Sequence, residues 1–361
     1  MTTLFCHKGV IAPIIKSLQK ESAMQRIVHT KHGEPAEVLT LEAFSDAPPL
    51  ASGTALVRVS AAPVHPGDLL GVSASPAFGS APLISKGGRV PGVEGVGVVE
   101  ALAADIDPSH RIQVGTRVAF FPVNGAWSAS IAAPIQSLIP VPDEVSDEVA
   151  AQMLVNTLTA RLAMRAGHNA LPEDKREDVT VIQTAANSAV GKRLTHMLVE
   201  AGVNPILLVG SAASAQALKA ARPNLSVIVT ENPGWKDELR DALANKPVYV
   251  AFDGVGGALL PDVASFLARG GTIVSYGSLG GATTDIRSIA PRALTIKGVS
   301  LFSWQFEPAA VRDADVAKAL ELARNHPSLF PVAQRYQASD YLGALEHTHR
   351  RGRTGMVLLV F

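Results

Sequence analysis

The run Val181-Ile182-Gln183-Thr184-Ala185-Ala186-Asn187-Ser188-Ala189-Val190-Gly191 passes from an apolar strand through a turn of small residues into a helix. A helix start of this kind presents free backbone N–H groups and the positive end of the helix dipole, a setting for a pyrophosphate. The dinucleotide fingerprint G-x-G-x-x-G asks for three glycines; only Gly191 is present, with Ala and Ser in the earlier places. Alone, the segment reads equally as a plain strand–turn–helix. The end of the next strand adds a second sign. An NAD site usually carries Asp or Glu there, on the ribose 2′-OH. The run Leu208-Val209-Gly210-Ser211-Ala212-Ala213-Ser214 has no acid. That leaves room for a 2′-phosphate, with Ser211 and Ser214 as donors. Lys219 or Arg222 would supply charge there, or simply cover a solvated helix face. A third set, His65, Asp68 and Glu94, joins groups that move protons or bind metals.

The elements that must carry these residues change character along the chain. From Met24 to about Val141 short alternating runs such as Ala55–Ser60 and Arg117–Phe121 are broken by Gly and Pro, which predicts a β-rich barrel or sandwich. After Pro142 the pattern becomes strand–helix alternation. Ser146-Asp147-Glu148 caps a helix expected through Ala163, and strands follow at 179–183, 205–209, 227–229, 248–252 and 271–276. Near-continuous apolar strands between helices predict a parallel sheet covered on both faces. Beyond Ala309 come two helices and a last strand, Met356–Phe361, expected to return to the first domain. The expected division is an extension over 1–23, a substrate domain of 24–143 plus 309–361, and an inserted nucleotide domain over 144–308.

Composition removes other classes. Lys+Arg and Asp+Glu both number 32, and no basic run carries interleaved aromatics, so nothing points to nucleic acid. No stretch approaches 18 uncharged apolar residues, so no membrane span is expected. The single cysteine, Cys6, excludes an internal disulfide and a cysteine-rich metal site. That fits a reducing compartment, here the cytoplasm. Residues 1–23 carry Lys8, Lys16 and Lys20 against one acid, Glu21, but no arginine. They read as a surface extension or as a targeting segment that would direct the chain to the mitochondrial matrix.

In order along the chain, further segments carry a resemblance: Ala61-Ala62-Pro63-Val64-His65-Pro66-Gly67-Asp68, Pro91-Gly92-Val93-Glu94-Gly95-Val96-Gly97, Val114-Gly115-Thr116-Arg117-Val118 and Leu154-Val155-Asn156-Thr157-Leu158-Thr159-Ala160. Together they resemble the zinc-independent medium-chain dehydrogenase/reductases, in particular the quinone oxidoreductase and 2-enoyl thioester reductase branches. The resemblance implies a Rossmann doubly wound parallel sheet inserted in a GroES-like β-rich substrate domain, an NADPH coenzyme and a homodimer. It also assigns roles. Asn156 and Thr159 would hold the carboxamide side of the nicotinamide, and Asn187, Ser188, Ala189, Val190 and Gly191 the pyrophosphate. Gly254 and Gly256, in Asp253-Gly254-Val255-Gly256-Gly257, would close over the adenosine half. Tyr276, Gly277 and Ser278 would form a turn of close backbone approach. Lys297-Gly298-Val299-Ser300-Leu301-Phe302-Ser303-Trp304 resembles an element lining the nicotinamide end and the acyl pocket. Leu301 and Phe302 would then face the coenzyme, and Phe302 and Trp304 the substrate, unless these aromatics serve a core or a dimer interface.

Where zinc-dependent relatives place Cys and His ligands, His65 and Val93 stand, so no metal is expected. Without zinc to polarise an alkoxide, the chemistry implied is hydride addition to a conjugated double bond or a quinone. The expected activity is reduction of a 2-enoyl thioester, with a quinone or alkenal as the alternative substrate and a non-catalytic NADPH sensor as the alternative role. Departures from the resemblance are the missing tyrosine after the His65–Asp68 segment, Met356 in place of a C-terminal lysine, and a longer loop over Ala74–Arg89. His65 and Asp68 are the nearest acid candidates beside solvent.

Overall fold

A computed structural model describes residues 24–173, 179–281, 284–287, 289–350 and 352–361. The extension over 1–23, and with it any targeting role, lies outside the described residues.

The β-rich lobe is built on the ten-residue strand β3 (Thr54–Pro63), in which Ala55, Val57, Val59 and Ala61 are buried and Arg58 is exposed. That period-2 alternation is what one buried face requires. β3 pairs antiparallel with β4 (Gly95–Leu102) and β6 (Ser130–Pro134). β4 leads on to β5 (Arg117–Phe120) and β7 (Leu138–Pro140). A smaller antiparallel pair, β1 (Met24–Val28) and β2 (Thr40–Phe44), lies beside it. The last strand, β15 (Met356–Val360), pairs antiparallel with β3 and parallel with β14 (Val332–Gln337). The chain therefore leaves this sheet and returns to it.

Between those passages lie six parallel strands: β8 (Thr180–Gln183), β9 (Ile206–Val209), β10 (Val227–Val229), β11 (Val248–Asp253), β12 (Leu267–Ser275) and β13 (Thr295–Gly298). Their order, β10-β9-β8-β11-β12-β13, is that of the Rossmann fold. Direction reverses between β8 and β11, and ligands bind such sheets at the carboxyl ends flanking that switch point. Every residue of β9 and β10 is buried, as helices on both faces demand.

Two expectations change, and one segment takes a form the sequence left open. The helix expected from Ser146 to Ala163 is two, Asp147–Ala150 and Val155–Ala170, with a turn between. The segment 301–306 after β13 is a 3₁₀ helix. The helix Ala309–Asn325 buries Ala319, Leu322 and Ala323 in the cluster that contains Leu158 and Leu162 of helix Val155–Ala170. It thus packs with the nucleotide lobe, although the sequence division at 309 assigns it to the substrate domain.

Candidate coenzyme and substrate cleft

Around the switch point three turns interlock. Ala185 adopts φ +48°, and Ser188 caps helix Ala189–Glu200, its Oγ accepting from Gly191 N at 3.0 Å. A Cβ on Gly191 would lie 2.3 Å from the Ala185 carbonyl oxygen, so the one glycine kept is the one that lets helix and strand close together. Asp253, fully buried at the end of β11, accepts from Thr184 Oγ1 at 2.6 Å, Val255 N at 3.1 Å and Gly256 N at 2.9 Å. Tyr276 donates its hydroxyl to the Thr184 carbonyl at 3.2 Å; burial, with Asp253 nearby, pushes the phenol well above its ordinary value. Added Cβ atoms would meet Tyr276 Cε2 at 2.6 Å from Gly254 and the Gly254 oxygen at 2.5 Å from Gly277. The two glycines thus let the turns close on each other at the edge of the cleft.

The β-rich lobe supplies the opposite wall. His65 is the N-cap of helix Pro66–Val72 and forms a reciprocal box with Asp68, whose Oδ2 accepts from His65 N at 3.0 Å. His65 Nε2 donates to Glu94 Oε1 at 2.7 Å. The other oxygen of Glu94 accepts from Leu154 N at 3.1 Å and Val155 N at 2.9 Å, capping helix Val155–Ala170. That carboxylate, buried at the joint of the two lobes, is why the helix begins where it does. Burial alone would lower the His65 pKa, but the hydrogen bond and charge of Glu94 outweigh it and hold it above the ordinary value. Burial also pushes Asp68 up, to about 6, against the pull of His65 and Arg89.

Both walls open on one cavity of about 800 Å³. His65, Asp68, Asn156, Thr159, Asn187, Ser188, Ala189, Val190, Gly254, Tyr276, Gly277, Ser278, Leu301 and Phe302 all line it. Asn156 approaches Met356 Sδ through its Nδ2 at 4.0 Å, and Thr159 donates its hydroxyl to the Val155 carbonyl at 2.7 Å. Asn187 donates to Ser214 Oγ at 3.2 Å, while its buried Oδ1 has no partner. An orphaned acceptor beside a helix N-terminus that lines a cleft suits a ligand bearing hydrogen-bond donors.

Two family models match the chain in order: an alcohol dehydrogenase GroES-like domain over residues 51–143 and a zinc-binding dehydrogenase over residues 189–322. The mitochondrial enoyl-[acyl-carrier-protein] reductase of Xenopus tropicalis is 27% identical over 336 residues, which are 90% of this chain and 91% of that protein. Among solved structures, a mycobacterial protein complexed with NADPH is 25% identical with a TM-score of 0.78, covering 94% of this chain and 99% of its own. The Escherichia coli quinone oxidoreductase complexed with NADPH is 23% identical with a TM-score of 0.79, covering 93% and 100%. This chain belongs to the medium-chain dehydrogenase/reductase superfamily.

Within that superfamily frame four of the expected site residues sit apart from the cavity wall, and so does one aromatic. Gly191 and Gly256 lie behind it, acting through turn geometry. Ser211 and Ser214 are bonded to each other at the start of helix Ala212–Ala221, and Ser214 reaches the cleft only through Asn187. Trp304 is buried behind the wall, donating to Asp315 Oδ2 at 3.1 Å and packed 5.8 Å from the Phe121 ring, so it backs the cleft and does not line it. Sequence reading missed Lys192 and Arg353, which line the corner around Met356. Burial lowers the pKa of both, and Arg193 and Arg353 add to the effect at Lys192. They bring cations to a corner where the family pattern expected lysine, but no motif marks them. Val93 lines the cleft without offering a ligand atom, and His65 and Glu94 are bonded to each other. Among the described residues no group of three His, Cys, Asp or Glu is arranged to hold a metal.

Proposed function

We propose that the protein is an NADPH-dependent reductase of an activated carbon–carbon double bond, acting on 2-enoyl thioesters first and quinones second. One observation carries this: the helix N-terminus at Ser188–Val190, the Asn156/Thr159 face and the Gly277–Leu301 edge converge on one cleft bounded on its far side by His65 and Asp68. The cradle fits a dinucleotide, because Gly254 and Gly277 let their two turns close on each other beside the helix N-terminus and Asn187 Oδ1 waits for a donor. When bound, the nicotinamide supplies the hydride. Asn156 and Thr159 orient its carboxamide, and the amides of Ser188, Ala189 and Val190 bind the diphosphate, with Lys192 and Arg353 adding positive charge. Ser211 and Ser214 favour the 2′-phosphate, since no acid follows β9. The donor set does not fit zinc, and no step is assigned to a metal. His65 and Asp68 stand in the cleft wall, the first with its pKa held above the ordinary value by Glu94 and the second raised by burial to about 6, so they hold the proton that the reduced carbon takes up.

The test is NADPH consumption by the purified protein with crotonyl thioester and, separately, a quinone. Turnover of the thioester is expected. Turnover of the quinone alone transfers the assignment to the second substrate class, and tight NADPH binding without turnover of either replaces it with a sensor. NADPH should also bind more tightly than NADH.

A homodimer fits the edge of the parallel sheet. All four residues of β13 are exposed, with Ile296 41% exposed, and its outer side has no strand partner among the described residues. A second copy pairing across a two-fold axis would cover it. Ile296→Lys should then shift the mass in light scattering from dimer to monomer. No helix among the described residues is long and apolar enough to cross a membrane, and a cytoplasmic location fits the lone cysteine.

A further inference from the structure

We propose that Arg89 is a catalytic residue, its guanidinium receiving the negative charge that forms on the substrate's carbonyl oxygen as hydride arrives. The proposal rests on the reductase reading and adds the group that stabilises its anionic intermediate. When the β-carbon of a 2-enoyl thioester accepts hydride from NADPH, the π pair moves through the α-carbon onto the carbonyl oxygen. The α-carbon then takes the proton held by the wall, the oxygen returns to a carbonyl, and solvent restores that proton. A quinone that accepts hydride likewise gathers charge on an oxygen. In both cases the oxygen is neutral before the transfer and anionic after it. A cation placed there therefore lowers the barrier more than it tightens binding.

The cations of the cleft divide between its walls. Lys192 and Arg353 line the corner of Met356, while Arg89 comes from the β-rich lobe, as do His65, Asp68 and Val93. Leu70, Ala77 and Phe78 of that lobe line the same space, so a charge there is poorly screened. No carboxylate among the described residues is paired with Arg89. Burial lowers its pKa, against the pull of Asp68, which gives its own Oδ2 to His65 N. The guanidinium stays charged at neutral pH and keeps donors free for an oxygen in the cleft.

A neutral partner holds Arg89 in place. Its main chain bridges His29 in both directions, His29 N donating to Arg89 O at 3.0 Å and Arg89 N to His29 O at 2.9 Å. Gly88, at φ +82°, permits that approach, since a Cβ there would lie 2.6 Å from Val28 Cγ2. His29 is fully buried, with Nδ1 3.0 Å from the Lys31 carbonyl oxygen. Nδ1 therefore carries the proton, and Nε2 accepts from Arg89 Nη1 at 3.4 Å. Burial lowers the His29 pKa, and Arg89 and His32 lower it further against the Lys31 carbonyl, so the ring stays neutral. The His32 ring backs it edge-on at 5.6 Å. An uncharged imidazole thus fixes the guanidinium and leaves it the charge that a carboxylate in the same place would cancel.

The experiment uses full-length protein in two assays. The first follows NADPH with crotonyl thioester and with a quinone. Arg89→Ala should lower kcat about hundredfold, with substrate KM and NADPH Kd within about threefold of wild type. Arg89→Lys should keep more of the rate. Methylguanidine should raise kcat of the alanine variant about tenfold and leave wild type unchanged, a gain that misfolding cannot produce. The second assay needs no turnover. Acetoacetyl thioester of coenzyme A is bound to the protein with NADP⁺, and its enolate is followed by near-ultraviolet absorbance. Wild type should hold the pKa of enolisation about one unit or more below that in Arg89→Ala. A kcat within about threefold of wild type, a loss shared by KM and NADPH Kd without rescue, or an enolisation pKa unmoved by Arg89→Ala overturns the assignment. Should wild type oxidise NADPH with neither substrate while it still favours the enolate through Arg89, the oxyanion site stands and the reductase chemistry falls.

Discussion

Replacing Asp315 tests whether the wall that carries Leu301 and Phe302 is held from behind. Asp315 is fully buried in helix Ala309–Asn325. Its Oδ1 accepts from Arg161 Nε at 2.8 Å and Arg165 Nη1 at 2.7 Å, and its Oδ2 from Arg165 Nη2 at 2.9 Å and Trp304 Nε1 at 3.1 Å. Burial alone would raise its pKa, but hydrogen bonds and charge from Arg165 and Arg161 outweigh that and hold the carboxyl below its ordinary 3.8. Asp315→Ala strands the buried indole N–H and leaves two guanidinium groups facing each other. Breaking a buried pair from one side costs about 3–5 kcal/mol. The two arginine side chains are 28% and 29% exposed and can turn to water, which places the loss near about 3 kcal/mol. The folded-state pKa is depressed, so this stability is present above the unfolded value and lost as pH falls through the folded one. The gap between wild type and variant should therefore hold at neutral pH and narrow below about pH 4. Denaturant melts followed by tryptophan fluorescence, with Glu346→Ala as an exposed control, measure the loss. Substrate KM and the coenzyme Kd should both rise, since the freed segment carries Leu301 and Phe302. A variant no less stable than the control, with unchanged KM, refutes the reasoning.

Asp68→Asn should stabilise the protein at pH 7.5. The carboxyl is raised from 3.8 to about 6, so ionisation favours the unfolded chain as pH climbs between those values, by up to about 3 kcal/mol. Asn keeps an acceptor for His65 N, and melts at pH 4.5 and 7.5 should show the gain shrinking in acid. An equal difference at both pH values would remove burial of the charge as its cause. Gly191→Ala should weaken NADPH by tenfold or more in fluorescence titration, because the added carbon meets the Ala185 oxygen at 2.3 Å. Unchanged affinity would show that the helix start can shift without losing the diphosphate.

The parallel sheet was legible because its strands are near-continuous apolar runs between helices, a pattern that needs no tertiary information. The break at residues 151–154 was not legible. Ser146 marks a helix start in the sequence, but the second start at Val155 depends on Glu94, about sixty residues away, delivering a carboxylate to two N–H groups. The aromatic pair after β13 divides for a related reason. In a strand Phe302 and Trp304 share a face; on the 3₁₀ helix observed over 301–306 they diverge, one to the mouth of the cleft and one to Asp315. Lys192 and Arg353 escaped notice because each is an ordinary basic residue on its own element, and only folding brings both to one corner.

Glu94 also explains why two lobes of different architecture present one site. Its carboxylate binds His65 on the β-rich side and opens the helix that carries Asn156 and Thr159 on the other. His65 and the face of Asn156 and Thr159 are therefore referenced to the same two oxygens. The apolar cluster beneath runs without a break from Ala61 and Val96 in the β-rich lobe to Val181, Val250 and Val274 of the parallel sheet. Wide hinge opening would expose that cluster and part Glu94 from one set of its donors, leaving a buried charge short of hydrogen bonds.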